Sequence, residues 1–485
     1  MKKALGFMGI AILLLCAVVV GRTLLNVVPE SAGNREVEDV AVNEQRLLRH
    51  MSEALQFKTV SYQSQDLPVK EFEGFISWVV ESYPEVQETM NLTRIGTYTL
   101  LYEWPGTDPS LKPVLMTGHY DVVPVIPGTE DQWTHPPYDG VVSDGYVWGR
   151  GSLDDKGAVI TMLEAATQLI QDNYQPERTI YFSFGHDEEI GGPQGAGGVV
   201  EYAKANDIEF LWSLDEGSFL FKDIIPGVDQ LMGSINVAEK GSATLDIVAK
   251  AAGGHSSMPP LDNAVGVLAS AIQKLEAEPV PGGLDGLSAD MFNAMSPYMP
   301  FMMKMMFSNQ WLFKGLIEQQ LFQVTFMNAS LRTTTAPTML QASNKVNVLP
   351  IEAVATVNFR LHPRDTVESV VKHVEQVVDD KRVEVRVRGG RPASEVSDAE
   401  AIGFEIVELS VREVRPDAFM TPGLMIAGSD SRHYTKVAEN AYRFNPMIVT
   451  SKDLPKIHGT DENITVDNLI LATQIYTRII KNTAP

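Results

Sequence analysis

Apolar and polar positions along the first half of the chain alternate between two rhythms. Lys112 to Val123 is an apolar run rich in β-branched residues and predicts a buried strand, and Tyr146 to Gly149 a short one. From Lys156 to Gln171, Val159, Ile160, Leu163, Ala166 and Ile170 recur at helical spacing. Asp154 and Asp155 stand where the N-cap of that helix belongs. Thr179 to Phe184 predicts a strand, Gly197 to Ala205 the start of a helix, and Phe210 to Leu214 a further strand. A polar segment from about Pro29 to Glu44, then a helix over Asn43 to Leu55, precede all of these. Strands alternating with helices predict an α/β sheet, mostly parallel.

The rhythm changes near Lys240. Ala243 to Ala251 predicts a strand and Asn263 to Glu278 a helix. Strands follow at Leu331 to Ala336 and Ala353 to Leu361, then a helix at Val367 to Val378 and a strand at Val383 to Val387. That β-α-β-β-α-β order is ferredoxin-like. After Gly390 the first pattern resumes. The expected organisation is therefore a catalytic α/β domain in two parts, 29–238 and 391–485, with a smaller α+β domain, 239–390, inserted between them. A segment at about 284–326 fits neither pattern. It carries Met291, Met295, Met299, Met302, Met303, Met305 and Met306 among Phe and Trp residues. Met-rich surfaces adapt to apolar ligands, so either helices packed on the inserted domain or a face toward lipid or an acyl chain is expected there.

Residues 1–28 hold an uncharged, almost wholly apolar run from Ala4 to Gly21 behind Lys2 and Lys3. It predicts a signal anchor, with the lysines cytoplasmic and the bulk of the chain outside, or a cleaved signal peptide that leaves the chain secreted.

Composition narrows the chemistry. With 62 acidic against 39 basic residues and a net charge of -23, the chain lacks the basic footprint of a nucleic-acid binder. One cysteine excludes an intrachain disulfide and a cysteine-based metal cluster. Metal ligands must then be His, Asp and Glu.

Such residues gather at predicted strand ends, where α/β sheets bind ligands. In Gly118-His119-Tyr120-Asp121, His119 and Asp121 lie two apart and can face one side. Gly149-Arg150-Gly151-Ser152-Leu153-Asp154-Asp155 is a tight turn opening a helix; helix capping alone would also explain its acids. In His186-Asp187-Glu188-Glu189, three consecutive acids repel one another, a cost that cations would offset. Asp215-Glu216 and His458-Gly459-Thr460-Asp461-Glu462 complete the set. Two histidines with several carboxylates suit zinc. The glycines of Gly191 to Gly198 lack the spacing of a nucleotide-binding loop.

In this order the motifs resemble the di-zinc metallopeptidases that include carboxypeptidase S, glutamate carboxypeptidase, aminoacylase and succinyl-diaminopimelate desuccinylase. The likeness runs from about Asn43 to the C-terminus. The phrases Gly118-His119-Tyr120-Asp121-Val122-Val123-Pro124 and Gly253-Gly254-His255-Ser256-Ser257-Met258-Pro259 are most similar to carboxypeptidase S and the N-fatty-acyl-amino-acid synthase/hydrolases. The resemblance implies a zinc-peptidase mixed sheet flanked by helices, with the inserted domain as lid and dimerisation domain. It implies two zinc ions per subunit bridged by Asp154, with His119 and Asp215 on one and Glu189 and His458 on the other. Asp121 would support His119, and Glu188 would be the general base. The Asp154-Asp155 peptide would be cis. His255 would reach the partner subunit's site and polarise the scissile carbonyl, Asn347 would assist at the substrate, and Arg432 would grip a substrate carboxylate, with Arg360 a further candidate.

The implied reaction is hydrolysis of the amide bond of N-acyl amino acids, fatty-acyl ones included and in either direction. The alternative is a carboxypeptidase acting on short peptides. A non-catalytic receptor on the same fold would be expected to have lost ligands or the base. His119, Asp154, Glu188, Glu189, Asp215 and His458 are all present.

Overall fold

The computed structural model describes residues 2–28, 38–63, 66–225 and 227–484. Most of the expected linker, 29–37, lies outside the described residues.

The large sheet is mixed. Its strands run in the order Asn91–Ile95, Thr99–Trp104, Ile180–Gly185, Val114–His119, Ser213–Asp215, Ala441–Arg443, Leu231–Glu239, Leu220–Phe221, Ile448–Val449, and Ala418–Met425 also pairs with Leu231–Glu239. At its centre Val114–His119 lies parallel to both Ile180–Gly185 and Ser213–Asp215. These strands are buried throughout, as a sheet covered on both faces requires. The helices Lys156–Gln171 and Val466–Asn482 pack against each other over it. Parallel strands end together, so His119 stands beside Gly185 in the register. The loops that leave this edge carry the candidate residues.

A second, antiparallel sheet has the order Thr334–Gln341, Glu352–Leu361, Gly241–Lys250, Val383–Arg391. The helices Ala264–Ala277 and Val367–Val378 cover one face of it. In chain order this is the expected ferredoxin-like arrangement. The helix Val367–Val378 begins at a capping box of Thr366 and Ser369.

The Met-rich segment forms the helices Leu287–Met295, Phe301–Ser308, Gln310–Leu321 and Thr325–Leu331. They pack mainly on the large sheet rather than on the second sheet. Tyr298 stacks on Phe419 of the strand Ala418–Met425 with ring centroids 3.8 Å apart. Phe292, Met295, Phe307 and Ile317 share one buried cluster with Met232 and Phe419. The N-terminal helix Lys2–Leu25 lies against Phe301–Ser308.

Candidate metal centre

Three strand ends and two loops build the site. His119 closes its strand, and its ring is buried. Its Nδ1 lies 3.0 Å from the carbonyl of Asp121 and 3.3 Å from that residue's carboxylate. This leaves Nε2 pointing outward, 3.0 Å from Asp154 Oδ1 and 3.6 Å from Glu216 Oε1. Asp154 follows the glycine turn through a cis peptide to Asp155. Its other oxygen, Oδ2, lies 2.9 Å from His458 Nε2. That nitrogen is also 3.3 Å from Glu189 Oε2. Two groups, His119 with Asp154 and Glu216, and Asp154 with Glu189 and His458, therefore each gather their ligand atoms within 4.8 Å and share one carboxylate.

The donors fit metal ions. They are all N and O, Asp154 offers one oxygen to each group, and Glu189 Oε1 is buried with no hydrogen-bond partner. The charges agree. Burial raises the pKa of Glu216 to about 8, with Asp154 adding to it. Burial raises Glu188 as well, and Glu216, Asp430 and Glu189 push it further. Hydrogen bonds to Asp154 and Glu189 lift His458 to about 10. Burial opposes protonation of His119, yet its bonds to Asp121, Asp154 and Glu216 hold its pKa well above the usual value. Acids crowded this way are relieved by cations, and bound metal would displace these protons.

Asp121 ties the site together. Its carboxylate accepts from Ser61 Oγ at 2.5 Å and from the backbone N–H groups of Glu188 and Glu189 at 3.2 Å. The one-turn helix Glu188–Ile190 is thereby fastened to the His119 strand. Gly192 lies just past it at φ 65°, and a Cβ there would stand 1.9 Å from Asp430 Oδ1, so only glycine fits.

The structure brings His119, Asp121, Asp154, Glu188, Glu189 and His458 together. Asp215 and Glu216 both stand at the end of the neighbouring strand: Asp215 Oδ1 accepts from Thr117 Oγ1 at 2.6 Å while its Oδ2 is buried without a partner, and Glu216 Oε1 lies 3.6 Å from His119 Nε2. Changing Glu216 to Gln is expected to lower the bound metal from two ions toward one per chain, with Asp215→Asn keeping both. Elemental analysis of the two purified variants checks this, and the reverse result returns the ligand role to Asp215.

Arg432 lies behind the Glu188–Ile190 turn. Its Nη2 donates to Gly191 O at 2.6 Å and its Nη1 to Ser429 O at 2.8 Å. Buried Glu239 lies nearby, between Arg391 Nη2 at 3.1 Å and Arg432 Nη1 and Arg443 Nε at 3.9 Å each. Three arginines thus face one glutamate. His255 and Asn347 sit at a two-stranded ladder of the inserted domain, Gly254–His255 with Val348–Leu349, where Ser256 N donates to Asn347 O at 3.1 Å. His255 is exposed, and among the described residues its ring bonds only to Ser257. Asn347 Oδ1 is buried and unpartnered. Arg360 is exposed on the lid sheet.

Sequence reasoning passed over Glu462 as more than a member of its motif. This buried carboxylate accepts the backbone N–H groups of Gly151, Leu153 and Asp154 and pairs with Arg150 Nη1 at 2.6 Å. Arg150 Nη2 in turn reaches the carbonyls of His458 and Gly459. The pair fastens the loop of Asp154 to the loop of His458. It also holds His458 at a left-handed φ of 59°. A basic residue in the glycine turn and an acid four residues after His458 were the available signals.

A family profile described as peptidase family M20/M25/M40 matches residues 115–482. "Probable carboxypeptidase S-like 2" of Dictyostelium discoideum is 38% identical over 443 residues, 90% of this chain and 85% of that protein. "N-fatty-acyl-amino acid synthase/hydrolase PM20D1" of Xenopus tropicalis is 34% identical over 451 residues, 92% and 88% of the two chains. Among solved structures, an M20 family metallo-carboxypeptidase from Sulfolobus solfataricus superposes with a TM-score of 0.64 at 18% identity, covering 90% of this chain and 98% of that one. A Bacillus subtilis protein described as a dinuclear metal binding peptidase from the M20 family gives a TM-score of 0.56 at 15% identity, covering 90% and 97%. Fold, shared carboxylate and sequence agree: the chain belongs to the M20 family of peptidases and amidohydrolases, and it is a metallohydrolase.

Proposed function

We propose that the chain hydrolyses the amide bond of N-acyl amino acids, N-fatty-acyl ones included, using two zinc ions per subunit. Asp154 carries this reading, because its two oxygens face two separate His-carboxylate groups. His119 and Asp154 with Asp215 or its neighbour Glu216 would hold one ion, and Asp154, Glu189 and His458 the other. When bound, the ions supply Lewis acidity for an amide carbonyl and for a water. Among the described residues no hydrogen bond engages the Glu188 carboxylate, which leaves it available to take the water's proton and return it to the leaving nitrogen. Asp121 orients the His119 ring. The guanidinium of Arg432 has donors beyond the two given to backbone carbonyls, and the arginine excess around Glu239 suits a substrate carboxylate.

His255 is free of its own subunit's metal ligands, which supports a homodimer in which it steadies the developing oxyanion of the partner site, with Asn347 beside it at the substrate. The N-terminal helix is long and apolar enough to cross a membrane from Leu5 to Leu25. We read it as an anchor that leaves the catalytic body extracytoplasmic, with a cleaved signal peptide as the alternative.

The relatives named for N-fatty-acyl amino acids support the acyl reading, and the carboxypeptidase S-like relatives support cleavage of short peptides instead. The experiment compares amino-acid release from an N-oleoyl amino acid, an N-acetyl amino acid and a dipeptide by the zinc-loaded full chain, with Glu188→Gln as the blank. The expected order puts the oleoyl substrate first. A dipeptide turned over at least tenfold faster would make the chain a carboxypeptidase.

A further inference from the structure

The N-terminal helix and the Met-rich helices form one unit. Asn26 Nδ2 donates to Ser296 Oγ and Ser308 Oγ, both at 2.8 Å. Arg22 Nε donates to Ser308 O at 3.2 Å, and Asn309 Nδ2 donates to Val19 O at 3.1 Å and to Thr23 Oγ1 at 3.3 Å. Val19 and Thr23 are buried in this contact. Thus the last two turns of the helix, from Val19 on, are seated on the insert, and the turns before them project from it.

That division has a consequence in length. The projecting apolar part, Leu5 to Val18, rises only about 20 Å at the α-helical pitch. The hydrocarbon core of a bilayer is about 30 Å thick. If the helix spans, its seated turns must also enter the apolar layer or its boundary, and they carry the insert with them. The insert is built for that depth. Its inward residues fill a core against the large sheet. Its outward ones are apolar and exposed: Phe301 at 52%, Met302 at 63%, Trp311 at 57% and Leu316 at 50%. Along each helix they fall together, Phe301 and Met302 with half-buried Met305 one turn on in the first, and Trp311, Leu312 and Leu316 in the second. Charge points the same way. From Met291 to Ile317 there is no aspartate or glutamate, only Lys304 and Lys314, in a chain whose net charge is -23. An exposed tryptophan beside lysines is what a membrane boundary selects. A cleft of about 610 Å³ between helix and insert carries Arg22, Asn26 and Gln310 on its wall, polar groups at headgroup level.

We infer that the outward face of the helices Phe301–Ser308 and Gln310–Leu321 lies in the lipid surface beside the N-terminal helix, and so docks the catalytic body on the bilayer. The inference rests on the reading of that helix as an anchor. An amphiphilic substrate dissolved in the membrane would meet a site held at that surface.

The test uses the full chain reconstituted in phosphatidylcholine vesicles, with or without bromine on the acyl chains near the headgroups. Bromine quenches tryptophan only within contact range, and Trp311 is one of six tryptophans. Brominated lipid is expected to quench the wild-type emission, with at least half of that quenching lost in Trp311→Phe. Leu316→Glu is expected to weaken it while turnover of an N-acetyl amino acid stays unchanged. Equal quenching of wild type and Trp311→Phe would overturn the inference. A carbonate wash of the same vesicles reads the anchor separately. A chain stripped by carbonate would refute the anchor on which the inference rests, whereas a carbonate-resistant chain quenched equally in wild type and Trp311→Phe would overturn the lipid face alone.

Discussion

Glu188→Gln is expected to lower kcat by a factor of about 10²–10⁴, the usual contribution of a positioned proton-transfer group, and to leave the metal content unchanged. The two halves of this expectation come from two neighbouring side chains with different surroundings. Glu189 turns toward His458, 3.3 Å away, which supports its proposed place among the ligands. Glu188 makes no such contact, although its backbone N–H is fastened to Asp121 at 3.2 Å. Burial and the carboxylates of Glu216, Asp430 and Glu189 raise its pKa, so it holds a proton more readily than an exposed carboxylate. Bound metal would lower that pKa again, toward the range in which the carboxylate can take a proton from water and surrender it to a leaving nitrogen. Glutamine keeps the size and loses the basicity. Elemental analysis beside steady-state kinetics reads both halves. A variant that lost a metal ion, while Glu189→Gln kept two, would exchange the roles of the pair.

Much of this architecture could be read in the sequence because its signals are local. The helices Lys156–Gln171 and Val367–Val378 begin and end where apolar periodicity placed them, although the Asp155 side chain, expected as a cap, makes no capping hydrogen bond. The ligand-bearing strands are buried apolar runs with His or acid at one end, and the lid order followed from spacing alone. The edge hairpin of Asn91–Ile95 and Thr99–Trp104 escaped notice, its first strand being largely polar and only partly buried.

The choice between Asp215 and Glu216 as the ligand beside His119 turns on a finer feature. Adjacent residues at a strand end face opposite sides, so one residue of register decides which acid enters the site. No local pattern displays that register. The seat of the Met-rich helices on Phe419, and the gathering of Arg391, Arg432 and Arg443 around Glu239, join residues far apart in the chain. Only the folded topology brings them together.

The Arg150–Glu462 pair is also long-range, and its removal is expected to cost more stability than the loss of any exposed pair. Glu462 is fully buried and Arg150 nearly so. Glu462→Ala would leave the guanidinium buried without its anion and three backbone N–H groups without their acceptor. Breaking one side of a buried pair costs about 3–5 kcal/mol, visible as a lower midpoint in denaturant unfolding. The same change frees the turn that aims Asp154 and the carbonyls that hold the His458 loop. A lost orienting partner lowers metal affinity by roughly 10–100-fold, here on the side of His458. Stability and positioning separate in the double variant Arg150→Met with Glu462→Leu. Apolar groups of similar volume remove the unpaired charge and often restore stability, but they return no hydrogen bond to the Asp154 turn. Recovery of the midpoint without recovery of metal affinity would identify the pair as a device that aims ligands. Recovery of both would reduce it to packing.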